Sequence, residues 1–184
     1  MNDINRLDGR SGLTWARPVA WAGAVALVLL PLAAMQFAPN SGVNWTASDF
    51  VFAALVIGGV GLAFEVAVRI STNWSYRAGA AVGLAAGFLL VWSNAAVGYI
   101  GDDNSYNMIF FAIVALALLG AIIARFRARG MAIVMVATGI AHAIAGGIGY
   151  PQDPVTGPFT LVFTAMWLTS AWLFHQASRQ GATR

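Results

Sequence analysis

Six apolar stretches, each long enough to cross a lipid bilayer, run through this chain of 184 residues. A membrane-spanning helix needs about 20 mostly apolar residues. Charged residues, Pro, Asn or Asp bound each stretch, and the expected spans are 18–38, 50–69, 78–98, 108–125, 131–150 and 158–176. Short connections make neighbouring helices antiparallel and leave no room for an appended soluble domain. The sequence therefore predicts an all-α, polytopic membrane protein: a bundle of six transmembrane helices, forming one integral-membrane domain over residues 1–184.

The composition excludes several other classes of protein. Hydrophobic residues make up 59% of the chain and charged residues only 9%, whereas a soluble domain has about 25% charged residues. This contrast excludes a soluble globule, a disordered chain and a nucleic-acid-binding protein, and it makes the lipid bilayer the expected partner. The chain contains no Cys and no Lys. It therefore forms no disulfide, thiolate metal site or Schiff base.

The basic residues predict the orientation of the helices in the membrane. All of them are arginines, and with six spans they all lie on one side: Arg6, Arg10, Arg17, Arg69, Arg77, Arg125, Arg127, Arg129, Arg179 and Arg184. The charged residues expected on the other side are all acids, namely Asp49, Asp102, Asp103 and Asp153. Basic residues near helix ends favour the cytoplasmic side of a membrane. Both termini are therefore expected to be cytoplasmic.

Small residues predict where the helices pack. The third span contains Gly79, Gly83 and Gly87 at a spacing of four residues, which is a double Gly-x-x-x-Gly motif. In lipid, small residues of this kind mark the faces at which helix backbones approach each other closely. We therefore expect these three glycines to form a helix-packing face, which could also support a homo-oligomer or bind another membrane protein.

Glu65 is the one acid within an expected span, and it has two interpretations. Arg69 follows four residues later, which is the favoured order for an ion pair along a helix. Alternatively, an acid within the membrane can serve the passage of a proton or a cation.

Asn94 and His142 are the other polar candidates within the spans. His142 lies near the midplane, about 16 Å into its helix at about 1.5 Å per residue. It could carry a proton, ligate a metal or haem, or form a hydrogen bond between helices. Asn94 lies nearer the outer surface, where an amide could join helices by hydrogen bonds or contribute to a site.

The acidic turn after the third span is a candidate metal-binding site. Asp102 and Asp103 could provide oxygen ligands to a hard cation such as calcium, but the spacing is not that of an EF-hand loop. A solvated acidic turn is the alternative. No nucleophile–base pair, paired carboxylates or metal-ligand cluster is apparent, so no catalytic residue and no cofactor is predicted, and an enzyme is not favoured.

Several short motifs resemble a family of small, uncharacterised bacterial inner-membrane proteins over about residues 44–145. These motifs are Asn44-Trp45-Thr46, Asp49-Phe50-Val51, Gly61-Leu62-Ala63-Phe64-Glu65, Trp92-Ser93-Asn94-Ala95-Ala96-Val97-Gly98, Ile122-Ile123-Ala124-Arg125-Phe126 and Arg129-Gly130-Met131-Ala132. The resemblance implies a multi-pass protein of the bacterial inner (plasma) membrane, and it assigns no activity.

Three functions are compatible with these features. The first is an accessory or interaction protein that packs through its glycine-rich helix faces. The second is a small transporter or channel for a proton, an ion or a small solute, using Glu65, Asn94 and His142. The third is a membrane protein that binds haem or a quinone through His142.

Overall fold

The computed structural model describes residues 16–100 and 105–182 of the chain. The long helices in these ranges are α1 (Ala16–Phe37), α2 (Ala47–Ile70), α3 (Trp74–Val97), α4 (Met108–Ile123), α5 (Ala128–Gly149) and α6 (Thr156–Ala182). Two short 3-10 turns, Pro39–Ser41 and Ser105–Asn107, precede α2 and α4. The described residues form no β-strand.

All six helices of the described ranges are long and apolar enough to cross a membrane. This finding confirms the predicted all-α, multi-pass fold class. The helix ends lie within three residues of the expected spans at all but two places. Helix α3 begins at Trp74 because Asn73 caps it, its side chain accepting a hydrogen bond of 3.1 Å from the backbone N–H of Tyr76. Helix α6 continues to Ala182, since helix formation does not stop where the apolar stretch ends.

Residues 16–62 belong to one compact unit, and residues 63–100 and 105–182 belong to another. The first contains α1 and most of α2. Thr46 and Asp49 cap the start of α2: the Asp49 carboxylate accepts a hydrogen bond of 2.7 Å from the backbone N–H of Thr46, in the manner of a capping box. Trp21 of α1 packs on Gly61 of α2, where an added Cβ would lie 3.1 Å from the indole ring.

The second unit contains the end of α2 and helices α3 to α6. Helix α6 packs against both α3 and α5, and α4 packs against α3 and α5. The predicted glycine face of α3 lies against α6: an added Cβ would be 3.3 Å from Leu173 at Gly79, 2.9 Å from Ser170 at Gly83 and 3.6 Å from Trp167 at Gly87. These glycines therefore allow the close approach of two helices of the same chain.

One end of the second unit carries its arginines. The hydroxyl of Tyr76, at the start of α3, donates a hydrogen bond of 2.8 Å to the carbonyl of Phe126, in the turn between α4 and α5. Asn73 donates one of 2.8 Å to Gln180, near the end of α6. We call this the arginine end, and its arginines are Arg69, Arg77, Arg125, Arg127, Arg129 and Arg179. Asp153, between α5 and α6, lies at the opposite end.

Candidate functional site

His142 lies in the interior of the second unit and is fully buried. It occupies the face of α5 that contacts α6, between Gly139, which packs on Trp167, and Gly146, where an added Cβ would overlap Thr160. The small residues on either side of His142 thus bring α6 close enough to enclose the imidazole.

Three aromatic rings surround the imidazole. The ring centroids of Tyr99, Phe110 and Phe163 each lie 5.6 Å from that of His142. The Tyr99 ring is nearly perpendicular to the imidazole, at an interplanar angle of 89°. The surroundings of the histidine are therefore mainly apolar, and its polar contacts are few.

A chain of hydrogen bonds runs from His142 to the start of α6. The Nε2 atom of His142 lies 3.2 Å from the hydroxyl oxygen of Tyr99, and that oxygen lies 3.2 Å from Oγ1 of Thr160. The Thr160 hydroxyl donates a hydrogen bond of 2.8 Å to the backbone carbonyl of Thr156. Burial raises the pKa of Tyr99, although the hydrogen bond with Thr160 acts in the opposite direction.

The direction of this chain specifies the tautomer of a neutral His142. A hydroxyl has one proton to donate, and Thr160 donates its proton to the carbonyl of Thr156. Tyr99 can then satisfy both of its contacts only by donating to Thr160 and accepting a hydrogen bond from His142. Nε2 then carries the imidazole proton, and Nδ1 is a bare acceptor. A charged imidazolium would instead bury an unpaired N–H donor, which is costly.

Nδ1 has no hydrogen-bond partner among the described residues. The same is true of two other buried polar atoms, Oγ1 of Thr164 and Nε1 of Trp167. Thr164 lies between Thr160 and Trp167 along α6, on the side that faces α5. Buried polar atoms are usually bonded, so three unpaired ones on α5 and α6 of the second unit distinguish its interior as the candidate site.

Asn94 acts on this site indirectly. Its side-chain carbonyl accepts a hydrogen bond of 3.1 Å from the backbone N–H of Tyr99, and its amide donates one of 3.0 Å to the carbonyl of Asn107. The Asn107 side chain in turn accepts a hydrogen bond of 2.8 Å from the backbone N–H of Ile100. Asn94 therefore holds the residues after α3 in place and positions Tyr99 against His142.

Glu65 does not belong to the same group of contacts. Its carboxylate lies 3.4 Å from the guanidinium of Arg69, as the spacing of these two residues predicts. The pair is at the arginine end, and the Arg69 side chain is 67% exposed. The described contacts connect Asn94 to His142 through Tyr99, but they do not connect Glu65 to either residue.

The remaining candidates lie elsewhere. Asp102 and Asp103 fall outside the described residues. In residues 16–100 and 105–182, no group of three or more His, Cys, Asp and Glu side chains could hold a metal ion. His175 is exposed near the arginine end and does not share the interior with His142.

No family model, curated protein or solved structure matches the chain. The geometry of the described residues is therefore what indicates its function. Sequence reasoning did not find Tyr99 and Thr160, and the available signal was limited to a tyrosine beside a helix end and a threonine one turn into α6.

A haem or a quinone could reach His142 only by displacing residues that enclose the fully buried ring.

Proposed function

We propose that this chain is an accessory protein of the bacterial inner membrane that acts by associating with other transmembrane helices. The observation that carries the proposal is the uneven burial of its helices. None of the residues in the apolar window of α1 is buried, whereas 39% of that of α5 and 33% of that of α6 are buried. Helices α5 and α6 thus find their partners within the second unit, whereas the first unit by itself leaves the apolar surface of α1 uncovered.

The surface proposed for association differs from the one that the glycine motif predicts. Gly79, Gly83 and Gly87 face α6, so an external helix cannot use them while α6 is in place. The first unit instead has an apolar groove of about 540 Å³, lined mainly by α1. Ala20, Gly23 and Ala24 form its small-residue side, and such residues allow a second backbone to approach closely.

We propose that α1 of a second copy occupies this groove. All copies of a chain insert with the same orientation, so two α1 helices meet in parallel and present the same face to each other. Such a pairing forms a closed, two-fold symmetric contact. An added Cβ on Gly23 would meet no described atom within 4 Å, so the small-residue face is open to such a partner.

The proposed location and orientation rest on the distribution of charge. The arginine end of the second unit carries six arginines, and Asp153 lies at the opposite end. This asymmetry favours a cytoplasmic arginine end, with both termini on that side. The choice of the bacterial inner membrane is a proposal that follows only from the resemblance suggested by the motifs of residues 44–145.

Self-association in lipid vesicles tests the proposal. Labelled wild-type protein should form dimers in a fluorescence energy-transfer titration, and Gly23→Leu should weaken the dimer about tenfold, equivalent to about 1.4 kcal/mol. Val19→Leu is the matched control, because Val19 is exposed on α1 outside the groove and already has a bulky apolar side chain. Equal dimerisation of the Gly23→Leu variant and the control would contradict the proposed surface.

Two further measurements on the same preparation separate the other candidate functions. Proton or ion flux that is abolished by Glu65→Gln would replace the proposal with a transporter. A Soret absorbance band that is lost in His142→Phe would replace it with a haem protein. The proposal expects a colourless protein that conducts no flux.

A further inference from the structure

We infer that the arginine end of the second unit binds the phosphate group of an anionic lipid. The inference rests on a polar pocket of about 430 Å³ between the α2–α3 connection, the start of α5 and the end of α6. It is independent of α1 and of the proposed self-association, since every residue that lines the pocket belongs to the second unit.

The pocket presents neutral hydrogen-bond donors. Ser71 and Thr72 contribute hydroxyls to the lining. The Ser71 oxygen accepts a hydrogen bond of 3.1 Å from the backbone N–H of Asn73, which leaves the hydroxyl proton available for donation. The Asn73 side chain bonds to Gln180 across the pocket, at 2.8 Å. This bond holds the α2–α3 connection and the end of α6 in fixed positions around the space.

Arg77 fixes the rim of the pocket. Its guanidinium donates hydrogen bonds of 2.8 Å to the carbonyl of Ser71 and 3.0 Å to the carbonyl of Val68. Carbonyls at the C-terminal end of a helix have no partner within the helix, and an arginine is well suited to bond them. Arg77 is thus a positioning residue that holds Ser71 at the pocket while placing a positive charge beside it.

Two further arginines are sequence neighbours of residues that line the pocket. Arg127 directly precedes Ala128, and Arg179 directly precedes Gln180, where Ala128 and Gln180 both line the space. Both arginines are exposed, and neither has an ion pair with any described residue. A guanidinium matches phosphate by forming two parallel hydrogen bonds. Two exposed guanidiniums at this end therefore suit an anionic ligand, and their planar donors favour a phosphate.

The level of the pocket in the membrane favours a lipid as the source of that phosphate. Trp74 and Trp172, near the same end, are 79% and 58% exposed. Exposed tryptophans collect at the interface between lipid and water, so the pocket is at the height of the headgroups. Basic pockets between transmembrane helices on the cytoplasmic side are known to bind anionic headgroups.

The test compares lipids and variants in nanodiscs. Binding of phosphatidylglycerol in a phosphatidylcholine background is measured by native mass spectrometry of the purified protein. The double change Arg127→Gln with Arg179→Gln should weaken binding about tenfold or more, since each arginine near the surface contributes to the attraction. Gly181→Leu should weaken it similarly without changing charge, because Gly181 lines the pocket and has open space for a side chain.

Arg69→Gln is the matched control. Arg69 is exposed at the same end, but its charge is already paired with Glu65, and it is not among the residues that line the pocket. Little change in that variant, together with the losses in the other two, is the expected result. An equal loss in Arg69→Gln, or no loss in Gly181→Leu, would overturn the inference, because attraction to surface charge would then explain the binding.

A second arm distinguishes a lipid headgroup from free phosphate. Inorganic phosphate is titrated into protein held in phosphatidylcholine alone, with chloride of equal ionic strength as the reference. Competition by phosphate against phosphatidylglycerol, with weaker binding of phosphate alone, is expected. Binding of inorganic phosphate at least as tight as that of the lipid would overturn the assignment to a lipid.

Discussion

At the scale of single residues, His142 depends on groups that are distant in the sequence. Its depth could be predicted by counting along a helix, and its burial followed from the small residues beside it. Its partner could not be predicted, because Tyr99 lies 43 residues earlier and outside the helices. The side chains of Asn94 and Asn107 accept hydrogen bonds from the backbone N–H groups of Tyr99 and Ile100 and so determine the position of Tyr99. No rule of residue spacing predicts such a turn.

The hydrogen-bond chain predicts which nitrogen of His142 carries the proton. In nitrogen-15 spectra of histidine-labelled protein, the wild type should show a protonated Nε2 and an unprotonated Nδ1. Replacing Thr160 with Val removes the acceptor of the Tyr99 hydroxyl. Tyr99 should then donate to Nε2, because an unpaired buried hydroxyl is costly, and the population should shift toward the Nδ1–H tautomer.

Thr164→Val provides the control for this experiment. Thr164 lies on the same face of α6, but its hydroxyl bonds to neither Tyr99 nor His142, so the wild-type tautomer should persist in this variant. An Nδ1–H tautomer in the wild type would contradict the proposed direction of the chain. The same ratio in Thr160→Val and in the wild type would contradict the role of Thr160.

At the scale of helices, the glycine spacing predicted a packing face of α3 but not its partner. Any apolar helix could have covered Gly79, Gly83 and Gly87, and the choice of α6 depends on bulky side chains such as Trp167 and Phe174, which fill the space above the glycines. Helix α5 uses its small residues in the same way, against the other side of α6. The central position of α6 therefore arises from complementary shapes on three helices, which periodicity in a single helix does not reveal.

Two adjacent glycines of α5 test this account of packing. An added Cβ on Gly146 would overlap Thr160, whereas one on Gly147 would meet no described atom within 4 Å. Gly146→Ala should destabilise the protein by about 1–3 kcal/mol, as overpacking usually does. Gly147→Ala should be neutral or stabilising by up to about 1 kcal/mol, because alanine favours a helix over glycine. Unfolding in mixed micelles with increasing denaturing detergent measures both.

Similar stabilities for these two variants would contradict the close approach of α5 and α6. The comparison is well matched, since the residues are neighbours in the same helix and the substitution is identical. Differences in helix propensity and in the unfolded chain therefore cancel, and the remaining difference reports the contact with Thr160.

At the scale of the whole molecule, hydropathy and charge were enough to predict the number of helices and which of their ends lie on the same side. Alternation of apolar spans with polar turns gave the six helices, and the arginines indicated which ends lie on the same side. The extent of burial of each helix could not be obtained in this way, because α1 and α5 are both strongly apolar. In lipid an exposed helix and an enclosed helix need the same composition, so only the packed structure distinguishes them.

The absence of cysteine from the chain makes the predicted orientation directly testable. A single cysteine at Val155, which is 63% exposed beside Asp153, should react with a membrane-impermeant maleimide added to intact bacterial spheroplasts. A cysteine at Gly181, at the arginine end, should react only after the membrane is permeabilised, because arginine-bearing ends remain on the cytoplasmic side. Labelling in the reverse order would invert the proposed topology. It would also place the phosphate pocket on the outer face of the membrane, since Gly181 lines that pocket, so this one measurement bears on both inferences.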